Sequence, residues 1–173
     1  APRLPFQCIV WDWNGTLLDD VTACVAAVNR MLTARKLPQI DEYRYREVFS
    51  FPVKAYYSSI GFDFDVEDWD LLAREYHKHY AEYSSAAALR PGARNLLARL
   101  HAGGVRLAVL SACEQTLLEK MLERHSINSF FERVYGLEDL FAHSKLHLGR
   151  RLLDDLDLRR EDILLVGDTT HDR

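Results

Sequence analysis

Short, continuous apolar runs that end on glycine, carboxylate or hydroxyl residues constrain this chain most. Phe6 to Asp12 (Phe-Gln-Cys-Ile-Val-Trp-Asp) reads as a buried strand that enters a turn at Gly15. Val105 to Leu110 is a second strand, reached through Gly103-Gly104. A third, shorter one lies around Arg133 to Tyr135, and a fourth, Ile163 to Val166, stops at Gly167. Strands that are apolar at successive positions, rather than at every other one, suit a parallel sheet covered on both faces.

The segments between them carry helical spacing. Val21, Val25, Val28 and Leu32 share a helix face. So do Trp69, Leu72, Tyr76, Tyr80 and Tyr83, for which Asp65 is the expected N-cap. Pro91 and Gly92 open a helix carrying Leu96, Leu97 and Leu100. Two more helices are marked by Leu117, Leu118, Met121 and Leu122 and by Leu148, Leu152 and Leu153. Helical signals fill the long gap between the first two strands, whereas later strands alternate with single helices. The expected organisation is therefore an α/β core over residues 1–17 and 89–173 with a helical insertion over 18–88. The chain stops seven residues after the fourth strand, where a covering helix is expected, so the natural protein is expected to be longer.

Composition removes several function classes. At 173 residues, 48% hydrophobic and 28% charged, the chain has the balance of a globular domain. A net charge of −4 and the lack of a Lys/Arg run argue against nucleic acid as a partner. The apolar runs are too short for a membrane span, and no basic segment leads into a long apolar one, so no secretion signal is expected. Cys8, Cys24 and Cys113 are odd in number and widely spaced, which gives neither a disulfide framework nor a zinc motif and suits a reducing cytoplasm.

Ligands of open parallel sheets bind beyond the carboxyl ends of the strands. There the sequence places Asp12-Trp13-Asn14-Gly15-Thr16-Leu17, Ser111-Ala112, and Gly167-Asp168-Thr169-Thr170-His171-Asp172, with Lys145 at the start of the helix before the fourth strand. Three carboxylates, a hydroxyl, a lysine and a glycine-relaxed turn thus share one sheet edge. Hard oxygen ligands suit Mg²⁺, which keeps several waters and needs only two or three carboxylates. An ionised aspartate is a nucleophile without a general base, provided that a divalent metal and a lysine offset its repulsion from a phosphate dianion. The hydroxyl and the backbone N–H groups of the turn suit phosphate oxygens.

These residues resemble the motifs of the haloacid dehalogenase-like superfamily: an Asp-x-Asp-Gly-Thr loop, a Ser or Thr after the second strand, a distant Lys, and a Gly-Asp-x-x-x-Asp ending. Here they stand as Asp12 to Thr16, Ser111, Lys145 and Gly167 to Asp172, in the family's order. The chain looks most similar to the phosphoglycolate phosphatase-like branch. The resemblance implies a Rossmann-like parallel core with an inserted α-helical cap, and a Mg-dependent phosphatase that acts on a small phosphorylated metabolite through an aspartyl-phosphate. It implies Asp12 as nucleophile and metal ligand, the Asn14 backbone carbonyl as a second ligand, and Asp168 and Asp172 as acidic ligands. Ser111 and Lys145 would hold the phosphoryl group together with the Gly15, Thr16 and Ala112 backbone, and Thr16 would support the loop.

One departure matters. The family's phosphatases usually carry Asp two residues after the nucleophile, where it protonates the leaving alcohol and then activates water. Here that residue is Asn14. A positioned acid typically contributes about 10²–10⁴-fold. A good leaving group, a proton from the cap or from Asp19-Asp20, or weak catalysis by a phospho-ligand-binding protein would each accommodate the change. Two relatives in the superfamily are alternatives. One is a haloacid dehalogenase, which would leave Asp168 and Asp172 without a task. The other is a phosphonate hydrolase, for which Lys54 is the cap lysine to test. Other features read as structural. His77 and His79 fall on different helix faces. His143 and His147 share a face but lack a third ligand, and Arg46 and Lys54 read as solvated charge. Cys113 reads as a small buried filler.

Overall fold

The computed structural model describes residues 5–50, 52–138 and 145–168, the side chains of residues 145 and 146 excepted. It divides into two compact units, Ala1–Asp19 with Ala88–Arg173 and Asp20–Ala87.

The first unit is built on a four-stranded sheet. Its central strand is β1 (Cys8–Trp11). Before the chain reaches the next sheet strand, the short strands β2 (Leu18–Asp19) and β3 (Ala88–Leu89) pair antiparallel as a separate ribbon, with Leu18 opposite Leu89. The sheet continues with β4 (Arg106–Glu114), β5 (Arg133–Leu137) and β6 (Ile163–Val166), in the order β5-β4-β1-β6 and parallel throughout. Side chains alternate across a strand. Cys8, Val10, Ala108, Leu110 and Tyr135 pack with Leu148, Leu152 and Leu156 of a covering helix, Lys145–Leu156. Ile9, Trp11, Leu107 and Val109, at the intervening positions, are buried too. On β1 and β4 both faces are covered, which is why these two strands read as continuous apolar runs, whereas Leu165 of β6 is exposed. Leu152 is buried, and removing such a side chain to Ala typically costs about 2–5 kcal/mol.

The helices of this unit start and stop where local chemistry dictates. The helix Ala93–Ala102 follows Gly92, whose φ of +82° turns the chain out of Pro91, and Gly104 (φ +75°) turns it into β4. The helix Gln115–Arg124 is capped by Glu114, whose carboxylate accepts the N–H groups of Thr116 and Leu117 at 2.9 and 2.8 Å.

β4 is longer than its apolar run. The sequence places Ser111 after the strand; the structure places it inside. Leu110 pairs with Tyr135 and Glu114 with Leu137, so Ser111, Ala112 and Cys113 stand opposite Gly136 alone. This is a bulge. The Cys113 N–H donates to Ser111 Oγ at 3.0 Å, replacing a ladder bond with a side chain that apolar pattern alone does not reveal. The bulged backbone also requires glycine opposite it, since a Cβ on Gly136 would meet Cys113 O at 2.7 Å.

The second unit is helical: α1 (Val21–Ala34), α2 (Glu42–Val48), α3 (Val53–Ser59) and α4 (Trp69–Tyr83). Val28, Met31 and Leu32 of α1 join Tyr56, Tyr57, Ile60, Phe62 and Leu72 in its core, with Trp69 and Tyr76 packed against them. The aromatic stripe of α4 is thus core. The N-cap of α4 is Asp68, which accepts the Leu71 N–H at 2.9 Å, not Asp65. Asp63 is the reason: its carboxylate and carbonyl take the N–H groups of Asp65, Val66 and Glu67, and this turn delays the helix. Arg35 pairs with both Glu67 and Glu75, tying the end of α1 to α4 and the turn before it.

Candidate active site

The sheet order reverses at β1: the chain moves from β1 to β4 and β5 on one side, then crosses to β6 on the other. Crevices that hold ligands form at such switch points, outside the carboxyl ends of the strands. Asp12 follows β1 there. Its N–H continues the ladder to Val166 O at 2.8 Å, and its carboxylate is buried. Asp168 lies two residues beyond β6.

Thr16 joins the two acids. Its hydroxyl lies 3.1 Å from Asp12 Oδ2 and 3.5 Å from Asp168 Oδ1. It reaches them because Gly15 takes a φ of +74° and the loop folds back on itself. The N–H groups of Thr16, Leu17 and Leu18 all converge on the Trp13 carbonyl at 3.3, 3.1 and 3.0 Å. Trp13 is fully buried and anchors the loop, its ring 6.2 Å from that of His125. Gly15 also gives way to Asp168, since a Cβ on it would overlap the Asp168 carboxylate.

Ser111 reaches the loop from β4. Its hydroxyl donates to Asn14 Oδ1 at 3.1 Å while accepting the Cys113 N–H. Ala112 is exposed and Cys113 buried. The structure therefore brings Asp12, Asn14, Gly15, Thr16, Ser111 and Asp168 to one sheet edge. Asp172 and the side chain of Lys145 lie outside the described residues, although Lys145 does open a helix.

Two carboxylates that share a hydroxyl form a hard-oxygen donor set, which fits Mg²⁺ and its preference for one or two carboxylates plus water. Among the described residues no cluster of three or more His, Cys, Asp or Glu side chains is poised to hold a metal. His79 is buried with Nε2 3.9 Å from Glu75, His147 is exposed, and His143 lies outside the described residues. Arg46 is exposed beside Glu42, and Lys54 is exposed with its ammonium over the Phe64 ring.

Asp20 does not stand free to deliver a proton. It is buried and accepts the Tyr80 hydroxyl at 2.7 Å within the helical unit. Asp19 lies 3.5 Å from Arg90. Arg90 is a residue that sequence reasoning missed: its Nε donates to the Gly15 carbonyl at 3.1 Å. The only cue in the sequence is an arginine standing directly before Pro91-Gly92.

Comparison with known proteins identifies the family. The family model for haloacid dehalogenase-like hydrolases matches residues 9–173. The probable phosphatase IndB of Dickeya dadantii is 29% identical over 170 residues, 95% of this chain and 74% of that protein. The phosphoglycolate phosphatase of Synechococcus elongatus is 26% identical over 172 residues, 96% of this chain and 76% of that protein. Among solved structures, a haloacid dehalogenase-like hydrolase of Streptococcus pneumoniae shares the fold, with a TM-score of 0.77 over 97% of this chain and 78% of that one at 22% identity. The chain belongs to the haloacid dehalogenase-like hydrolase family, in the branch that resembles the phosphoglycolate phosphatases.

Proposed function

We propose that this protein is a Mg²⁺-dependent phosphatase that releases phosphate from a small phosphorylated metabolite by way of an aspartyl-phosphate on Asp12. The observation that carries the reading is the Thr16 hydroxyl shared between Asp12, at the end of the central strand, and Asp168, at the end of its neighbour.

In the first step an Asp12 carboxylate oxygen forms a bond to phosphorus as the bond from phosphorus to the ester oxygen breaks. In the second, water attacks the same phosphorus, the Asp12–phosphorus bond breaks, and inorganic phosphate leaves. Asp12, the Asn14 carbonyl, Asp168 and Asp172 would hold Mg²⁺, which when bound neutralises charge on the phosphoryl oxygens. Thr16 keeps the Asp12 carboxylate oriented. Ser111 and Lys145 receive the phosphoryl oxygens, which requires the Ser111 proton to leave Asn14 Oδ1. An amide neither protonates a leaving alkoxide nor activates water, so Asn14 favours esters whose leaving group departs as a stable anion.

The three cysteines are buried and in no disulfide, and among the described residues no helix is long and apolar enough to cross a membrane. The buried thiols suit a reducing, cytoplasmic setting for an enzyme whose partner is its small substrate, and the net charge of −4 suits a partner other than nucleic acid. A panel of acyl, aryl and alkyl phosphates assayed with and without Mg²⁺ tests the reading. Mg-dependent phosphate release, fastest for acyl and aryl substrates, is expected. Equal or faster turnover of simple alkyl esters would remove the role given to Asn14. Mg-independent release of halide from a 2-haloacid would favour the dehalogenase reading instead.

A further inference from the structure

The loop that carries the nucleophile contains its most pliable residue at the point that must be most fixed. Gly15 adopts a φ of +74°, and its peptide to Thr16 sets where the Thr16 hydroxyl stands between Asp12 and Asp168. Glycine has the largest conformational freedom to lose, so a bond from outside the loop is needed to hold that peptide. One end is held within the loop, where the Thr16 N–H donates to Trp13 O at 3.3 Å. The other end, the Gly15 carbonyl, accepts from Arg90 Nε at 3.1 Å. A peptide is planar, so fixing both ends fixes the plane.

Arg90 is itself held on several sides. Its N–H donates to Leu17 O at 2.9 Å, and its carbonyl accepts from Ala93 N at 3.0 Å as the next helix begins. Its NH1 group lies 3.5 Å from Asp19 Oδ1 on β2, which orients the planar guanidinium. The Asp19–Arg90–Gly15 chain thus joins the β2–β3 ribbon to the nucleophile loop.

We propose that Arg90 is a positioning residue for the reaction, acting through the Gly15–Thr16 peptide to hold the Thr16 hydroxyl between Asp12 and Asp168. Its kinetic consequence rests on the phosphatase reading above; its structural consequence does not. The experiment measures amide hydrogen exchange of residues 13–18 alongside steady-state kinetics in Arg90→Ala, Arg90→Lys and Asp19→Asn. In Arg90→Ala, exchange at Thr16 is expected to rise about tenfold while the β4 amides stay unchanged. kcat is expected to fall about tenfold or more with KM within about twofold, since small misplacement at a reacting centre is expensive. Methylguanidine is expected to restore part of kcat in Arg90→Ala and to leave the wild-type kcat unchanged. Arg90→Lys, which keeps charge but not the fork, should fall between, and it carries the test if the alanine variant fails to fold. Asp19→Asn should show a smaller effect in the same direction. Unchanged exchange at Thr16, or loss of kcat that methylguanidine leaves untouched, overturns the assignment. If the wild-type protein hydrolyses no phosphate ester, the functional reading falls, and the exchange data alone decide on Arg90.

Discussion

Ser111 donates its hydroxyl proton to the side-chain oxygen of Asn14 across 3.1 Å, binding the end of β4 to the loop after β1. Asn14, which on the proposed reading stands where the family's phosphatases carry an acid, is therefore part of the site's hydrogen bonding. Asn14→Asp keeps an acceptor for Ser111 and adds a group that exchanges protons. It is expected to raise kcat on alkyl phosphates by about ten- to a hundredfold, toward the range that a positioned acid contributes, and to change aryl phosphate turnover little. Parallel kinetics on one alkyl and one aryl ester decide this; unchanged alkyl turnover would place the proton donor elsewhere.

Gly15→Ala puts a methyl group into the Asp168 carboxylate at a left-handed backbone position. The backbone alone should cost about 1–2 kcal/mol, read by urea denaturation. The displaced Asp168 should also raise the Mg²⁺ concentration needed for half-maximal activity. A variant with wild-type stability and Mg²⁺ response would contradict the contact.

The thiols should be inert while the protein is folded. Burial is the main force that pushes the Cys8 thiol up to about 11, with Arg106 opposing it, and the Cys24 thiol up to about 12, with the nearby Asp20 adding to it. At about pH 8 both remain protonated, and only the thiolate is nucleophilic. Titration with an aromatic disulfide is expected to label neither in native protein and all three cysteines in denaturant. Rapid labelling of Cys8 or Cys24 without denaturant would contradict their placement.

Much of this was legible in the sequence, and the reasons are physical. Strand β1 announces itself because both its faces are buried, and β6 by its run of four apolar residues, although Leu165 is exposed; Asp12 and Asp168 follow directly from where those strands end. The loop's reversal is legible in Gly15. What stayed hidden depends on contacts between distant residues. The β4 bulge turns on the Ser111 hydroxyl and the missing side chain of Gly136, neither of which alters the apolar pattern. The true cap of α4 was masked by three aspartates in close succession, of which Asp63 takes the preceding turn and leaves Asp68 to start the helix. Arg90 carries no periodic signal at all, and only its bond to Gly15 reveals it.

The most direct test of the account is chemical trapping of the intermediate. Enzyme mixed with Mg²⁺ and an aryl phosphate is quenched with borohydride, which reduces an aspartyl-phosphate to homoserine, and the peptide containing residues 9–16 is sequenced by mass spectrometry. Conversion at residue 12, dependent on substrate and absent in an Asp12→Asn variant that has also lost phosphate release, is the expected result. Undiminished phosphate release by Asp12→Asn, or reduction at another carboxylate, would contradict Asp12 as the nucleophile.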